Sequence, residues 1–448
     1  MYETRQKMKT KSIVAALLTL VFLASGSAQS LDKAKLDQFL DRLADKHKGM
    51  GGLTLMKDGN VVYSHSFGYS YVNGTDNKLA TAATKYRIAS ITKVYTATMI
   101  FQLVEEGRLK LTDTLDKFIP QIPNASKITI AHILAHRSGI HDMEQDGSWG
   151  HQLRTKDEII ARIAQGKPDF EPGTQNKYSN AGYHLLGCIV EQVDAKPYAE
   201  ALKARIASKI GLKDTYSVAS GTADPNRNES RSYQYFGSWR DATELDFSVV
   251  AGAGSIVATT ADLATFIKAL FDGKLVSKAS LDQMTSMRDG EGMGMTTFSF
   301  GGKTFYGESG GSFNSGAWVA YLPEEKLVFA YGTNAKIYPV KNIIAGALDI
   351  YWNRPFEIPS FDAFEVSPDV LDRYAGVYGV PGTPGGVTFT RDGGTLFFQP
   401  PGNAAVPLEA TAENKFKIDP AVFFEFDADK GLVTIRRPNG ERTLTKVK

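Results

Sequence analysis

With a single cysteine, Cys188, in 448 residues, the chain can form no internal disulfide, so its folded state rests on packing alone. Histidine is scarce too: there are seven, and none follows His184. Any mechanism that needs a histidine late in the chain is therefore excluded. There is no low-complexity block and no repeat at solenoid or propeller period. Charge is nearly balanced, with 51 Lys and Arg against 49 Asp and Glu. No Gly-rich phosphate loop follows a strand, since "GAGS" at 252–255 lacks both the spacing and the lysine.

The small positive excess is local. "RQKMKTK", then the apolar "SIVAALLTLVFLASG", then "GSA" before Gln29 read as a signal peptide over residues 1–28, with a core too short for a comfortable membrane span. An uncleaved N-terminal anchor is the alternative. The segment carries Arg5, Lys7, Lys9 and Lys11 against Glu3, a net +3, so the formal +2 of the whole chain leaves −1 for the remainder. That balance gives no reason to expect nucleic acid or an anionic membrane as partner. The expectation is an exported protein, periplasmic or secreted and able to act as a monomer, with no stable membrane anchor after cleavage. Cys188, within "YHLLGCIVEQV", is expected in the core.

The pattern predicts an α+β fold. An amphipathic helix over 31–48 precedes "GGLTLMKDGNVVYSHSFGYS", which alternates around Asp58-Gly59 as a hairpin. Residues 88–272 read as mainly helical, 295–335 as antiparallel strands and 341–352 as a closing helix. Together they suggest an antiparallel sheet flanked by helices, with a helical subdomain, over 29–355. A Pro- and aromatic-rich linker covers 356–364. Short strands joined by Gly, Asp and Asn turns then make a small all-β, barrel-like domain over 365–448.

The chemistry is concentrated in "YRIASITKVYTATMI", residues 86–100. Positions i and i+3 share a helix face, so Lys93 can reach the Ser90 hydroxyl. A serine hydroxyl is a poor nucleophile until a neighbouring base takes its proton, and a desolvated lysine can be that base. The bland reading is a helix cap followed by a solvated lysine. The apolar flanks Ile88, Ala89, Ile91, Val94 and Ala97 argue for burial instead. Downstream, "FEPGTQNKYSNAGYHLLG" places Tyr178, Ser179 and Asn180 between a Pro-Gly turn and a helix start. A phenol can relay a proton, and an amide can hold a carbonyl or orient a lysine. Taken alone, a simple cap by Ser179 or Asn180, with Tyr178 packed in the core, is the better account of this second cluster.

Together with "ITIAHILAHRSGI" and "GAGSIVATTADLATFIKAL", these stretches resemble the serine β-lactamase-like family over roughly residues 35–350. That family includes class C β-lactamases, penicillin-binding D-Ala-D-Ala carboxypeptidases, D-aminopeptidases and esterases. The resemblance implies Ser90 as the acylated nucleophile, Lys93 as its proton acceptor, Tyr178 as general acid and base, and Asn180 as ligand of substrate and lysine. It implies a third motif on a strand, best matched by Glu308-Ser309-Gly310 in "YGESGGSFNSGAW". The oxyanion hole would use the N–H groups of Ser90 and Gly311. No cofactor or metal is implied. The substrate would be a small molecule or peptide with an amide or ester carbonyl. Where the family has Lys or His, this chain has Glu308. A carboxylate there would repel a substrate carboxylate unless it is protonated or turned away; Glu308 is expected to face an amine, either Lys93 or a cationic substrate end. An esterase or peptidase is expected first, a β-lactamase or D-Ala-D-Ala carboxypeptidase second, and an inactive peptidoglycan- or partner-binding member third.

Two other arrangements carry less. "GESGG" fits the G-x-S-x-G elbow of α/β-hydrolases with Ser309 as nucleophile, but no histidine lies downstream. His132, His136 and His141 have spacing that could place the first two on one helix face for zinc. No metalloprotease glutamate stands between them, and the resemblance makes this histidine segment structural.

Overall fold

The computed structural model describes residues 31–448 apart from 143–154, 219–220, 236–237, 245, 247–249, 313, 363, 383–384, 404, 420–421 and 448. The expected signal peptide over 1–28, and His151, lie outside the described residues.

The Asp32 carboxylate accepts the Lys35 N–H at 2.9 Å and starts helix α1, Lys33–Asp45. Its Leu36, Phe39, Leu40 and Leu43 repeat at helical spacing and are fully buried. Strands β1, Gly49–Lys57, and β2, Asn60–Phe67, form the expected hairpin. Asp58 and Gly59 both take positive φ, 51° and 83°, as its two-residue turn requires.

Four more strands complete the main sheet: β3, Thr296–Phe300; β4, Lys303–Ser312; β5, Ser315–Leu322; and β6, Leu327–Lys336. The order is β3-β4-β5-β6-β1-β2, antiparallel throughout, so the first and last parts of the unit pair along β1 and β6. Side chains alternate across the sheet. Ala320, Leu322, Leu327, Phe329 and Tyr331 pack with α1 and with helix α5, Val340–Tyr351. Ala317, Val319, Val328 and Ala330 face a larger helical core. That core is built on α2, Thr92–Glu105, α3, Asn180–Asp194, and α4, Thr260–Phe271. Helix α2 is buried on all sides from Thr92 to Leu103, so whatever it carries is held away from water.

The structure adds strands the helical reading of 88–272 did not contain. Tyr86–Arg87, Ile256–Ala258 and Tyr216–Ser217 form one small sheet, and Tyr233–Tyr235 pairs with Trp239–Asp241. Two- and three-residue strands are too short to register as alternation.

In the C-terminal part, a seven-residue helix, Pro368–Tyr374, precedes the expected all-β region. Nine strands from Gly376 to Lys446 then form one antiparallel sheet around Tyr374, Tyr378, Phe389, Phe398, Phe424 and Phe426. Ion pairs Lys48–Glu409 and Lys46–Asp362, each 2.6 Å, join this region and the preceding segment to the first unit. Among the described residues no helix is long and apolar enough to cross a membrane.

Candidate active site

Ser90 does not lie in α2 itself but in a single 3-10 turn, Ala89–Ile91, immediately before it. Ala89 takes φ +45°, a left-handed conformation that costs an alanine about 1–2 kcal/mol. The strained corner sits next to the residue expected to react, where such strain is commonly stored. Lys93 follows in the first turn of α2 and is 1% exposed.

Lys93 Nζ lies 3.0 Å from Ser90 Oγ, 2.7 Å from Asn180 Oδ1 and 2.9 Å from the Ala253 carbonyl oxygen. Tyr178 Oη lies 2.6 Å from Ser90 Oγ, and the Tyr178 ring centroid is 4.7 Å from Nζ. Thus Ser90, Lys93, Tyr178 and Asn180 meet at one point although they come from two segments nearly ninety positions apart. Ser179 does cap α3, accepting the Gly182 N–H at 3.1 Å, so the capping reading and the chemical one hold together.

Three supports were not legible in the chain. Asp142, 1% exposed, accepts both the backbone N–H and the side-chain amide of Asn180, at 3.1 and 3.3 Å, which turns Oδ1 toward Lys93. His136 stacks on the Tyr178 ring with centroids 4.5 Å apart, and its Nδ1 accepts the Ser179 N–H. Burial first, then the Lys93 charge, push its pKa down to about 3, so the ring stays neutral. Glu291 is half-buried, and burial raises its pKa against an opposing pull from Lys93. A carboxylate or imidazole isolated in a loop gives no periodic cue to such contacts. The glycine turn at 252–255 packs tightly: a side chain on Gly252 would start 2.8 Å from Gly187 Cα.

Past Gly307, β4 no longer pairs with β3, and its free edge runs against the Ser90 turn. A side chain on Gly310 would begin 2.0 Å from the Ile88 carbonyl oxygen and 2.7 Å from Ser90 N, so glycine alone fits. Glu308, Ser309, Gly310 and Gly311 therefore border the same cleft. Residues 308–312 are strand, not the strand-turn-helix elbow that Ser309 would need as a nucleophile.

Glu308 keeps a little accessible surface in the cleft yet is surrounded by protein on almost every side. Burial raises its pKa to about 8, against the opposing effects of the Ser309 N–H, 2.8 Å from Oε1, and of Lys93. At neutral pH it mostly holds a proton. The Lys93 charge acts on Glu308 against the effect of burial, and a proton held there reduces the expected repulsion of anions.

The histidine reading needs correction as well. The helix at Ile130–Leu134 is too short to put His132 and His136 on one face. His132 Nδ1 accepts the Thr129 N–H, His136 contacts Tyr178 and Ser179, and His141 pairs with Asp169 at 2.8 Å. Cys188 is buried, with its thiol pKa pushed up to about 12.

A helix-flanked antiparallel sheet whose free edge faces a Ser-x-x-Lys turn and a Tyr-x-Asn corner defines the serine β-lactamase-fold hydrolases. The chain belongs to that Beta-lactamase family, whose model matches residues 36–348. It is 26% identical over 416 residues to Penicillin-binding protein 4* of Bacillus subtilis strain 168, covering 85% of this chain and 90% of that one. It is 24% identical to the D-alanyl-D-alanine-carboxypeptidase/endopeptidase AmpH of Escherichia coli K12, covering 79% of this chain and all of that one. Among solved structures, the D-amino acid amidase of Ochrobactrum anthropi SV3 aligns with TM-score 0.64 and 26% identity, over 71% of this chain and 98% of that one. The octameric penicillin-binding protein homologue of Pyrococcus abyssi aligns with TM-score 0.61 and 25% identity over 92% of this chain and the whole of that one.

Proposed function

We propose that the protein is an exported serine hydrolase that cleaves an amide or ester bond through an acyl-enzyme on Ser90. The observation that carries this reading is the convergence of Lys93 Nζ and Tyr178 Oη on Ser90 Oγ, at 3.0 and 2.6 Å. The Ser90 hydroxyl proton passes to Lys93, and the oxygen adds to the substrate carbonyl. The N–H groups of Ser90 and Gly311 receive the negative charge that forms on the carbonyl oxygen. Tyr178 then protonates the leaving nitrogen or oxygen, whose bond to the carbonyl carbon breaks, and recovers a proton from Lys93, which is thereby neutral again. Water, giving a proton to the same pair, attacks the ester and releases the acid and free Ser90. Asn180, held by Asp142, keeps Lys93 directed at Ser90.

The amidase and endopeptidase names among the relatives favour amide substrates, and the D-alanyl-D-alanine-carboxypeptidase name favours the second reading as well. A β-lactamase or D-Ala-D-Ala carboxypeptidase is the second reading, favoured by the protonated state that burial gives Glu308. Export rests on the leader-like sequence at 1–28.

The test is a fluorescent phosphonate, with turnover measured on p-nitrophenyl esters, D- and L-amino acid amides and nitrocefin. Labelling of the wild type but not of Ser90→Ala is expected. Absence of label and of all turnover overturns the hydrolase and leaves a binding member of the family.

A further inference from the structure

Lys336 ends β6, two strands away from the free edge of β4. Its Nζ lies 3.0 Å from the point where a Gly311 side chain would begin. Gly311 is not in a left-handed conformation, so its backbone does not call for glycine. What the missing side chain supplies is room for an ammonium group at the rim of the proposed oxyanion hole.

That ammonium is partly buried, and burial lowers its pKa. Among the described residues no carboxylate lies within ion-pair distance of it. Other partly buried lysines are matched differently: Lys48 has Glu409, Lys85 has Asp214 and Lys303 has Glu325. Taking a charge out of water without a counter-ion is unfavourable, which makes such a group a ready partner for an anion that arrives with a ligand. Its backbone is anchored, because the Lys336 N–H donates to the Asn314 carbonyl at 2.9 Å in the turn between β4 and β5.

Distance along a substrate fits this placement. One residue of extended peptide advances about 3.3–3.6 Å, so with a scissile carbonyl at the Gly311 N–H, a carboxylate one residue onward comes within reach of Nζ. Glu308, in the strand position where the resembled family carries its cation, cannot serve that purpose itself.

We propose that Lys336 is the specificity-determining cation of this site, binding an anionic group of the substrate, a carboxylate on the leaving side, over Gly311. The inference rests on the hydrolase reading above.

Two thioesters with the same acyl group test it, one with mercaptoacetate as leaving group and the other with mercaptoacetamide. The wild type is expected to favour the carboxylate by at least tenfold in kcat/KM, equivalent to about 1.4 kcal/mol. Lys336→Met is expected to bring the ratio near unity, mainly through KM. Lys336→Glu is expected to invert it and Lys336→Arg to preserve it. A wild-type ratio of one or less, or a ratio unchanged in both the Met and Glu variants, overturns the proposal. Should the Met and Glu variants fail to fold, the wild-type ratio and the Lys336→Arg variant decide. Ser90-dependent turnover of both thioesters without discrimination refutes the role of Lys336 alone. No turnover of either, with no phosphonate label, refutes the hydrolase and this inference with it.

Discussion

Replacing Glu308 by Gln removes a titrating group from the cleft while keeping the shape and the acceptor for the Ser309 N–H, now 2.8 Å from Oε1. Burial raises the Glu308 pKa from 4.5 to about 8. Below pH 4.5 the carboxyl is protonated in both the folded and the unfolded chain and contributes no difference. Between 4.5 and 8 the unfolded chain loses the proton and the folded one keeps it, so the folded state is progressively disfavoured as pH rises. At ~1.4 kcal/mol per pH unit, the full penalty reaches about 5 kcal/mol, with the opposing pull of Lys93 already contained in the value of about 8. The Glu308→Gln protein is therefore expected to match the wild type at pH 4.5 and to exceed it by roughly 2–5 kcal/mol at pH 8. Denaturant unfolding at several pH values measures this. Trp318, the strand partner of Ser309, gives a fluorescence reporter in the same sheet. Two stability curves that stay within about 0.5 kcal/mol of each other from pH 5 to 8 would falsify the assignment of a buried, protonated Glu308.

Two further substitutions probe the geometry. Gly310→Ala places a methyl group 2.0 Å from the Ile88 carbonyl and 2.7 Å from Ser90 N, so β4 must move. A loss of about 100-fold in kcat/KM is expected, with about 1–3 kcal/mol of stability; a variant as active as the wild type contradicts the close approach of strand and nucleophile. Asp142→Ala strips both acceptors from the Asn180 amides. It is expected to lower stability by about 1–3 kcal/mol and kcat roughly tenfold with little change in KM, while Asp142→Asn restores part of kcat. Equal losses in both variants, with a raised KM, would point to substrate contact instead of positioning.

Local spacing determined much of this protein. Lys93 stands three positions after Ser90, and across the 3-10 turn and the first turn of α2 that spacing puts the two side chains within reach. Asp58-Gly59 could turn only as a hairpin, and alternation marked the strands at 295–335 because each has one face toward α1 and α5 and the other toward the helical core. The third motif was placed by the family resemblance alone, and the structure supplies its packing reason: at Gly310 only glycine lets the strand touch the nucleophile's turn. What folding alone decided are the through-space environments. Asp142 lies 38 residues from Asn180, and His136 has no sequence relation to Tyr178 that predicts stacking. The charge state of Glu308 could not be read from the chain, and burial is what raises its pKa. Lys336 read as one lysine among many until the sheet order set it beside Gly311. Charge state depends on how much water surrounds a group and on which charges face it, and both are settled by packing between segments far apart in the chain.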